Sequence, residues 1–183
     1  MIDAIETKAY GYRFRSRLEA RWAVFLSSLG MEWDYEREGY VIDGKSYLPD
    51  FWLPSIDPSC KAAGWGVWLE IKPTWPLKAH QEALYAGLAL QTGHRLYAAC
   101  GSPWDCRIYI FDHHHAGDPL SIPMCDSARL FEDRNTGEVV LLSVRPPRKT
   151  NFTFGARGAL AIACDAAKSA RFEYGESPRR QTA

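Results

Sequence analysis

Nowhere does the sequence hold the roughly 20 consecutive apolar residues that a membrane-spanning helix requires. Its first ten residues lack the basic start and apolar run of a secretion signal and carry Asp3 and Glu6 instead. The expected location is therefore the cytoplasm. Cysteine is sparse, five in number, with no C-x-x-C pair, so free thiols are expected rather than a disulfide framework. Cys100 and Cys106 stand near the run His113, His114 and His115, but the spacing matches no common structural zinc site. The histidines read as a loop leading to Gly117, Asp118 and Pro119. Net charge is absent too, with 22 Lys+Arg against 22 Asp+Glu, so overall charge neither favours nor excludes a nucleic-acid partner. There is no internal repeat and no long low-complexity segment.

What is present suits an ordinary globular chain. At 183 residues it fits one domain with a small appendage, and 46% hydrophobic residues, including seven Trp, nine Tyr and eight Phe, can bury a substantial core. Charge is distributed unevenly. Lys8, Arg13, Arg15, Arg17 and Arg21 cluster early, Arg145, Arg148 and Lys149 flank Pro146 and Pro147, and Glu32, Asp34, Glu36 and Glu38 form an acidic patch. Local basic patches can contact phosphates in a chain of zero net charge, although most single surface charges do no more than solvate.

Leu18, Trp22, Phe25 and Leu29 recur at helical spacing and predict a helix over 16–29, with this stripe buried. Ser16 and Glu19 fit a capping box, and Gly30 supplies the stop. Strands are predicted over 33–40 and 47–53, with Asp43 and Gly44 as a turn between them. A further strand over 64–72 alternates Val67, Leu69 and Ile71 with Trp68, Glu70 and Lys72. Pro73 ends it, and a helix follows from about Pro76 to Thr92, stopped by Gly93. Strands are expected over 95–100 and 107–111, then a hairpin of 128–131 with 139–144 across Asn135, Thr136 and Gly137. An Ala-rich helix over 158–172 and a frayed tail over 176–183 close the chain. The expected fold class is α/β, a mixed central β-sheet flanked by helices.

One group of residues points to chemistry. Glu70 and Lys72 are two apart on a strand and so project from one face. Asp50 lies upstream, after Tyr47, Leu48 and Pro49 in an extended segment. Converging carboxylates can hold a hard divalent cation, which prefers oxygen ligands, and a nearby ammonium can orient an attacking water. A cross-strand charge pair between Glu70 and Lys72 is the plainer reading.

Pro49 and Asp50, then nineteen residues, then Glu70, Ile71 and Lys72, resemble the signature of the PD-(D/E)XK nuclease superfamily. Upstream, Arg15 to Trp22 (RSRLEARW), an acidic strand and the segment YLPDF are similar to transposon-encoded end-cleaving endonucleases and related phage nucleases. The resemblance covers roughly residues 10 to 100. It implies a restriction-endonuclease-like core (αβββαβ) within residues 1–120, with 121–183 as a C-terminal extension of hairpin and helix. It also implies Glu19, Asp50 and Glu70 as metal ligands, the Ile71 carbonyl as an additional one, and Lys72 as the residue that positions the nucleophilic water. Glu19 carries a second reading, as the partner of Ser16 in the capping box.

Gln81 to Tyr85 (QEALY) matches the Q-x-x-x-Y pattern of the RecB-like and lambda-exonuclease-like branch, where such residues position the substrate strand. Helix surface with a core-edge tyrosine explains them equally well. Arg15 and Arg17 are further candidates for substrate binding. The cysteine pattern of the iron-sulfur members of that branch is absent. The expectation is thus a Mg²⁺-dependent DNA endonuclease, with Mn²⁺ able to substitute, acting in phage or mobile-element DNA processing or recombination, in the host cytoplasm if phage-encoded. Exonuclease or RNA-cleaving activity on the same fold, and a non-cutting nucleic-acid or protein-binding module, are the alternatives. A homodimer, mediated by the Ala-rich helix, would suit an enzyme cutting both strands of a symmetric site.

Overall fold

Ser16 sits in the extended region, and its hydroxyl accepts the Glu19 N–H at 3.2 Å, which starts the first helix, α1 (Arg17–Ser28). At the other end Gly30 N–H bonds the Ser27 carbonyl and Met31 N–H the Leu26 carbonyl, both at 3.0 Å. These bonds satisfy carbonyls that the helix end leaves open, and Gly30 takes the required φ of +70° without a Cβ to clash. The structure, a computed structural model, describes residues 6–54, 66–112, 128–133, 139–143, 152–153 and 158–172. The His113–His115 run, Arg145, Arg148, Lys149, the turn at Asn135 to Gly137 and the expected tail fall outside them.

The buried face of α1 is broader than the predicted stripe. Trp22 and Phe25 are buried as expected, but so are Ala20, Ala23, Val24 and Leu26, while Leu18 and Leu29 are only partly covered. The cause is a second packing partner from the far end of the chain. Helix α3 (Ala159–Ser169) lies against α1 and buries Leu160, Ala163 and Ala167 in the same core. Its small-residue face is therefore used within the chain.

The extended segments are more interrupted than their hydrophobicity suggests. A ribbon of β1 (Thr7–Ala9) and β2 (Tyr12–Phe14) precedes α1. The strand expected over 33–40 is only β3 (Asp34–Tyr35), because Glu36 adopts a left-handed φ of +48° and turns the chain out of the ladder. A separate hairpin follows, β4 (Tyr40–Ile42) and β5 (Lys45–Tyr47), joined at Asp43 and Gly44. Both turn residues have positive φ, +49° and +76°, the geometry that matches strand twist in two-residue hairpins. The segment expected over 47–53 is likewise divided. It passes from β5 through a bend at Asp50 into β6 (Phe51–Pro54).

After β7 (Gly66–Lys72) the chain bends through residues 73–76, so α2 (Ala79–Thr92) starts three residues later than predicted. Lys78 is its extended N-cap, and its N–H donates to the Gln81 side chain at 2.9 Å. Gly93 ends the helix at φ +68°, as expected. β8 (Leu96–Ser102) and β9 (Asp105–Phe111) come next, followed by β10 (Ala128–Asp133), β11 (Val139–Ser143) and β12 (Phe152–Thr153).

The main sheet runs β11-β10-β9-β8-β7-β6-β3, with β12 also paired to β10. β7 and β8 are parallel, joined through α2, and the other neighbours are antiparallel. This is an α/β fold with a mixed central sheet flanked by helices. With the β4–β5 hairpin taken as an insertion, α1, β3, β6, β7, α2 and β8 follow the order αβββαβ. The C-terminal hairpin of β10 and β11 extends this same sheet through Ala128 opposite Ile108, so these two strands continue the architecture.

Each face of the sheet carries its own core. Val67, Leu69 and Ile71 face α1 and α3, whereas Trp68 packs with Leu77, Tyr85, Leu88 and Ala89 on the α2 side. The predicted alternation of β7 is therefore correct, and burial on both faces follows from its central position. Glu70 and Lys72 share the α2 side with Trp68 by the same alternation. No helix among the described residues is long and apolar enough to cross a membrane.

Candidate active site

The polar residues singled out by sequence gather where β6 begins and β7 ends. Phe51 opposite Leu69 is the end of the β6–β7 ladder, and continuing that antiparallel register by one places Asp50 opposite Glu70. Asp50 is 2% exposed, Glu70 2% and Glu19 7%, which is extreme burial for carboxylates. Such burial requires partners, and each oxygen has one. Asp50 Oδ2 accepts the Ile71 N–H at 2.7 Å, and Oδ1 accepts from Arg15 Nη2 at 2.6 Å. Glu70 Oε1 accepts from Lys72 Nζ at 2.5 Å, while Oε2 accepts the Tyr47 hydroxyl at 2.7 Å and the Asp50 N–H at 3.3 Å. The N–H and C=O of a strand residue point to the same side, so the Ile71 carbonyl lies on the edge of β7 that faces Asp50.

Glu19 reaches the group from α1. Its Oε1 accepts the Ser16 hydroxyl at 2.7 Å, and Oε2 accepts the Tyr35 hydroxyl at 2.6 Å and the Arg15 N–H at 3.1 Å. The capping box is thus altered. Its glutamate takes the N–H of the residue before the N-cap, and its charge is near enough to act on Asp50. Capping and membership of the cluster hold together.

Negative charge outweighs positive here. Glu19, Asp50, Glu70 and Glu36 face Arg15 and Lys72, the Glu36 carboxylate lying 2.7 Å from Arg15 Nε. Burial, then the charges of Glu70 and Glu19, holds the Asp50 carboxyl well above its ordinary range despite Lys72 and the Ile71 N–H. Burial alone would lower the Lys72 ammonium, but Glu70 and then Asp50 override it and keep its pKa raised. Arg15 behaves in the same way, with burial overcome mainly by Asp50. Three phenols border the carboxylates, and burial is the main cause that raises each. Tyr47 and Tyr85 are then raised chiefly by Glu70, and Tyr35 by its hydrogen bond to Glu19.

No family model, curated protein or solved structure matches this chain. The chemistry of the site must therefore be read from its own geometry.

Asp50, Glu70 and Lys72 are in direct contact or adjoining, and Glu19 borders them. Among the described residues no three His, Cys, Asp or Glu side chains already form a metal-ligating group. Glu19 is directed at Ser16, Tyr35 and the Arg15 N–H, and would have to swing one oxygen away to join the other two. Arg15, expected only as a substrate contact, is built into the cluster. Arg17 is the half-buried first residue of α1. Gln81 caps α2 with its side-chain oxygen, while Tyr85, 1% exposed and one turn later, borders Glu70 and meets Tyr47 at a ring separation of 6.0 Å. Tyr85 thus sits at the core edge and at the site together.

Sequence reasoning passed over Tyr47, Tyr35 and Glu36. Tyr47 was visible within YLPDF, three residues before Asp50, but nothing in one sequence shows that β5 ends with its hydroxyl over Glu70. Tyr35 and Glu36 read as residues of a longer strand, whereas the left-handed turn at Glu36 brings its carboxylate back to Arg15.

Proposed function

We propose that this chain is a metal-dependent nuclease of the PD-(D/E)XK class that hydrolyses phosphodiester bonds in DNA, as an endonuclease of phage or mobile-element DNA processing. The observation that carries the reading is the buried meeting of Asp50 and Glu70 at adjacent strand ends, with Lys72 on Glu70 and Glu19 at the border. The αβββαβ order, which sets these ends beside one another, supports a restriction-endonuclease-like core.

Donor chemistry fits Mg²⁺ or Mn²⁺. The ligands are hard oxygens, and four carboxylates against two cations leave a deficit of positive charge that a divalent ion would make good. Asp50, Glu70, the Ile71 carbonyl and a reoriented Glu19 would hold it. When bound, such an ion supplies Lewis-acid stabilisation of phosphate charge and a more acidic water.

The protein's own residues do the positioning. Ile71 N–H and Arg15 fix the two oxygens of Asp50, and Tyr47 fixes Glu70. Lys72, half-buried and hydrogen-bonded to Glu70, would donate to the attacking water and offset developing negative charge. Arg15, about half exposed and paired with Asp50 and Glu36, would turn part of its guanidinium toward an incoming phosphate.

Purified protein with Mg²⁺ or Mn²⁺ should cut DNA when linear, circular and branched forms are assayed beside RNA. Asp50→Ala and Lys72→Ala should each abolish cutting. Activity that survives both changes removes the assignment.

A further inference from the structure

Beyond the carboxylate cluster, one exposed aromatic stands out by its position. Trp75 is 49% exposed, three residues past Lys72 in the bend that leaves β7. An indole this large usually buries most of its area. One face is covered, because the Arg107 guanidinium lies over the ring at 3.9 Å from its centroid. Among the described residues no carboxylate is paired with Arg107. Arg107 is itself exposed on β9.

The sheet register ties this pair to the active site. Lys72 is opposite Cys100 on β8, and Cys100 is opposite Arg107 on β9. Residues opposite one another project from the same face, so Lys72 and Arg107 stand in one row on the α2 side. Two strand spacings separate their backbones, about 10 Å. The row thus runs from the residue expected at the scissile phosphate to a guanidinium stacked on an exposed indole.

We infer that Trp75 and Arg107 form a subsite for an unpaired nucleotide of the DNA strand being cut, the base stacking on the open face of Trp75 and its phosphate meeting Arg107. This rests on the nuclease reading and specifies its substrate as DNA with an unstacked end, flap or branch. Each half of the pair contributes what the other lacks. The indole offers a flat apolar face that accepts any base, and the guanidinium offers planar, charged donors for phosphate. The stacking of Arg107 on the covered face orients the ring before a base arrives. In a blunt duplex the bases are paired and, apart from the outer face of each terminal pair, stacked on both sides, so it gains less from the ring than an unpaired tail does.

The test uses fluorescein-labelled DNA in two forms, a blunt duplex and the same duplex with a single-stranded tail. Binding is followed by anisotropy in Ca²⁺ and cutting is followed in Mg²⁺. Trp75→Ala should weaken binding of the tailed DNA about tenfold, the scale of one base stacked on an aromatic ring. It should leave the blunt duplex within twofold, and Trp75→Phe should restore most of the loss. Arg107→Ala should lower the slope of log affinity against log salt by about one. Equal binding of tailed DNA by wild type and Trp75→Ala overturns the subsite, even where the wild type cuts normally. A Trp75 dependence seen only with single-stranded RNA overturns the choice of DNA. A wild type that neither binds nor cuts any DNA overturns this inference together with the nuclease reading.

Discussion

Replacing Tyr47 with phenylalanine removes one oxygen from the site and keeps the ring that contacts Tyr85. That oxygen donates to Glu70 Oε2 at 2.7 Å in a site where Glu70 is 2% exposed, so water cannot readily take its place. A hydrogen bond to a charged group contributes about 1.5–3 kcal/mol. The lower part of that range applies here, because Lys72 at 2.5 Å and the Asp50 N–H at 3.3 Å still hold the carboxylate. For a chain of this size, a loss of about 1.5–2 kcal/mol lowers the melting temperature by roughly 3–8 °C. Thermal unfolding followed by circular dichroism would read it. If the same bond orients Glu70 in the working site, cleavage in Mg²⁺ should fall about tenfold to thirtyfold, the kinetic equivalent of that energy. A variant that melts and cuts like the wild type would show that the phenol does not position Glu70.

Other consequences are equally direct. Asp50→Asn removes the charge and turns an amide NH2 toward a donor, either Arg15 Nη2 or the Ile71 N–H, in a buried site, so it should abolish Mn²⁺ binding by calorimetry and lower the melting temperature. Stability should fall as pH rises above about 10, because the unfolded chain then ionises tyrosines that the fold keeps protonated. Tyr47, Tyr85 and Tyr35 all have raised folded values and Tyr40 is pushed up to about 12, so urea midpoints between pH 10 and 12 should drop less steeply in Tyr47→Phe. Gly66→Ala places a methyl against the Trp52 indole in the β6–β7 ladder, and should cost about 1–3 kcal/mol in urea denaturation.

The candidate site residues were legible in the sequence because their order and spacing follow from local strand geometry. Two-residue alternation places Glu70 and Lys72 on one face, and caps at Ser16, Gly30 and Gly93 mark real helix ends. What could not be read was set by partners distant along the chain. The broad buried face of α1 depends on α3, some 130 residues later. The strand over 33–40 was overestimated because its residues suit an extended chain, while the left-handed Glu36 is selected by ion pairing with Arg15 and by the exit toward the hairpin. The late start of α2 has a local cause instead, since the Lys78 N–H and the Gln81 side chain form a cap that composition does not announce. Tyrosine donors to the carboxylates depend on the same kind of distant meeting, β5 over β7 and β3 over α1.

The brevity of β3 has a consequence for how copies of the protein meet. It is the terminal strand of the main sheet on the side of the carboxylates, and only two of its residues are in the ladder before Glu36 turns away. An open strand of ordinary length would present a row of unpaired backbone groups on which a second molecule could continue the sheet. Here there is too little edge to copy, and the residue that ends it is tethered to Arg15. Lengthening that edge by straightening Glu36 would also release the arginine that holds Asp50. The shortness of this sheet edge and the shape of the candidate active site thus depend on the same turn.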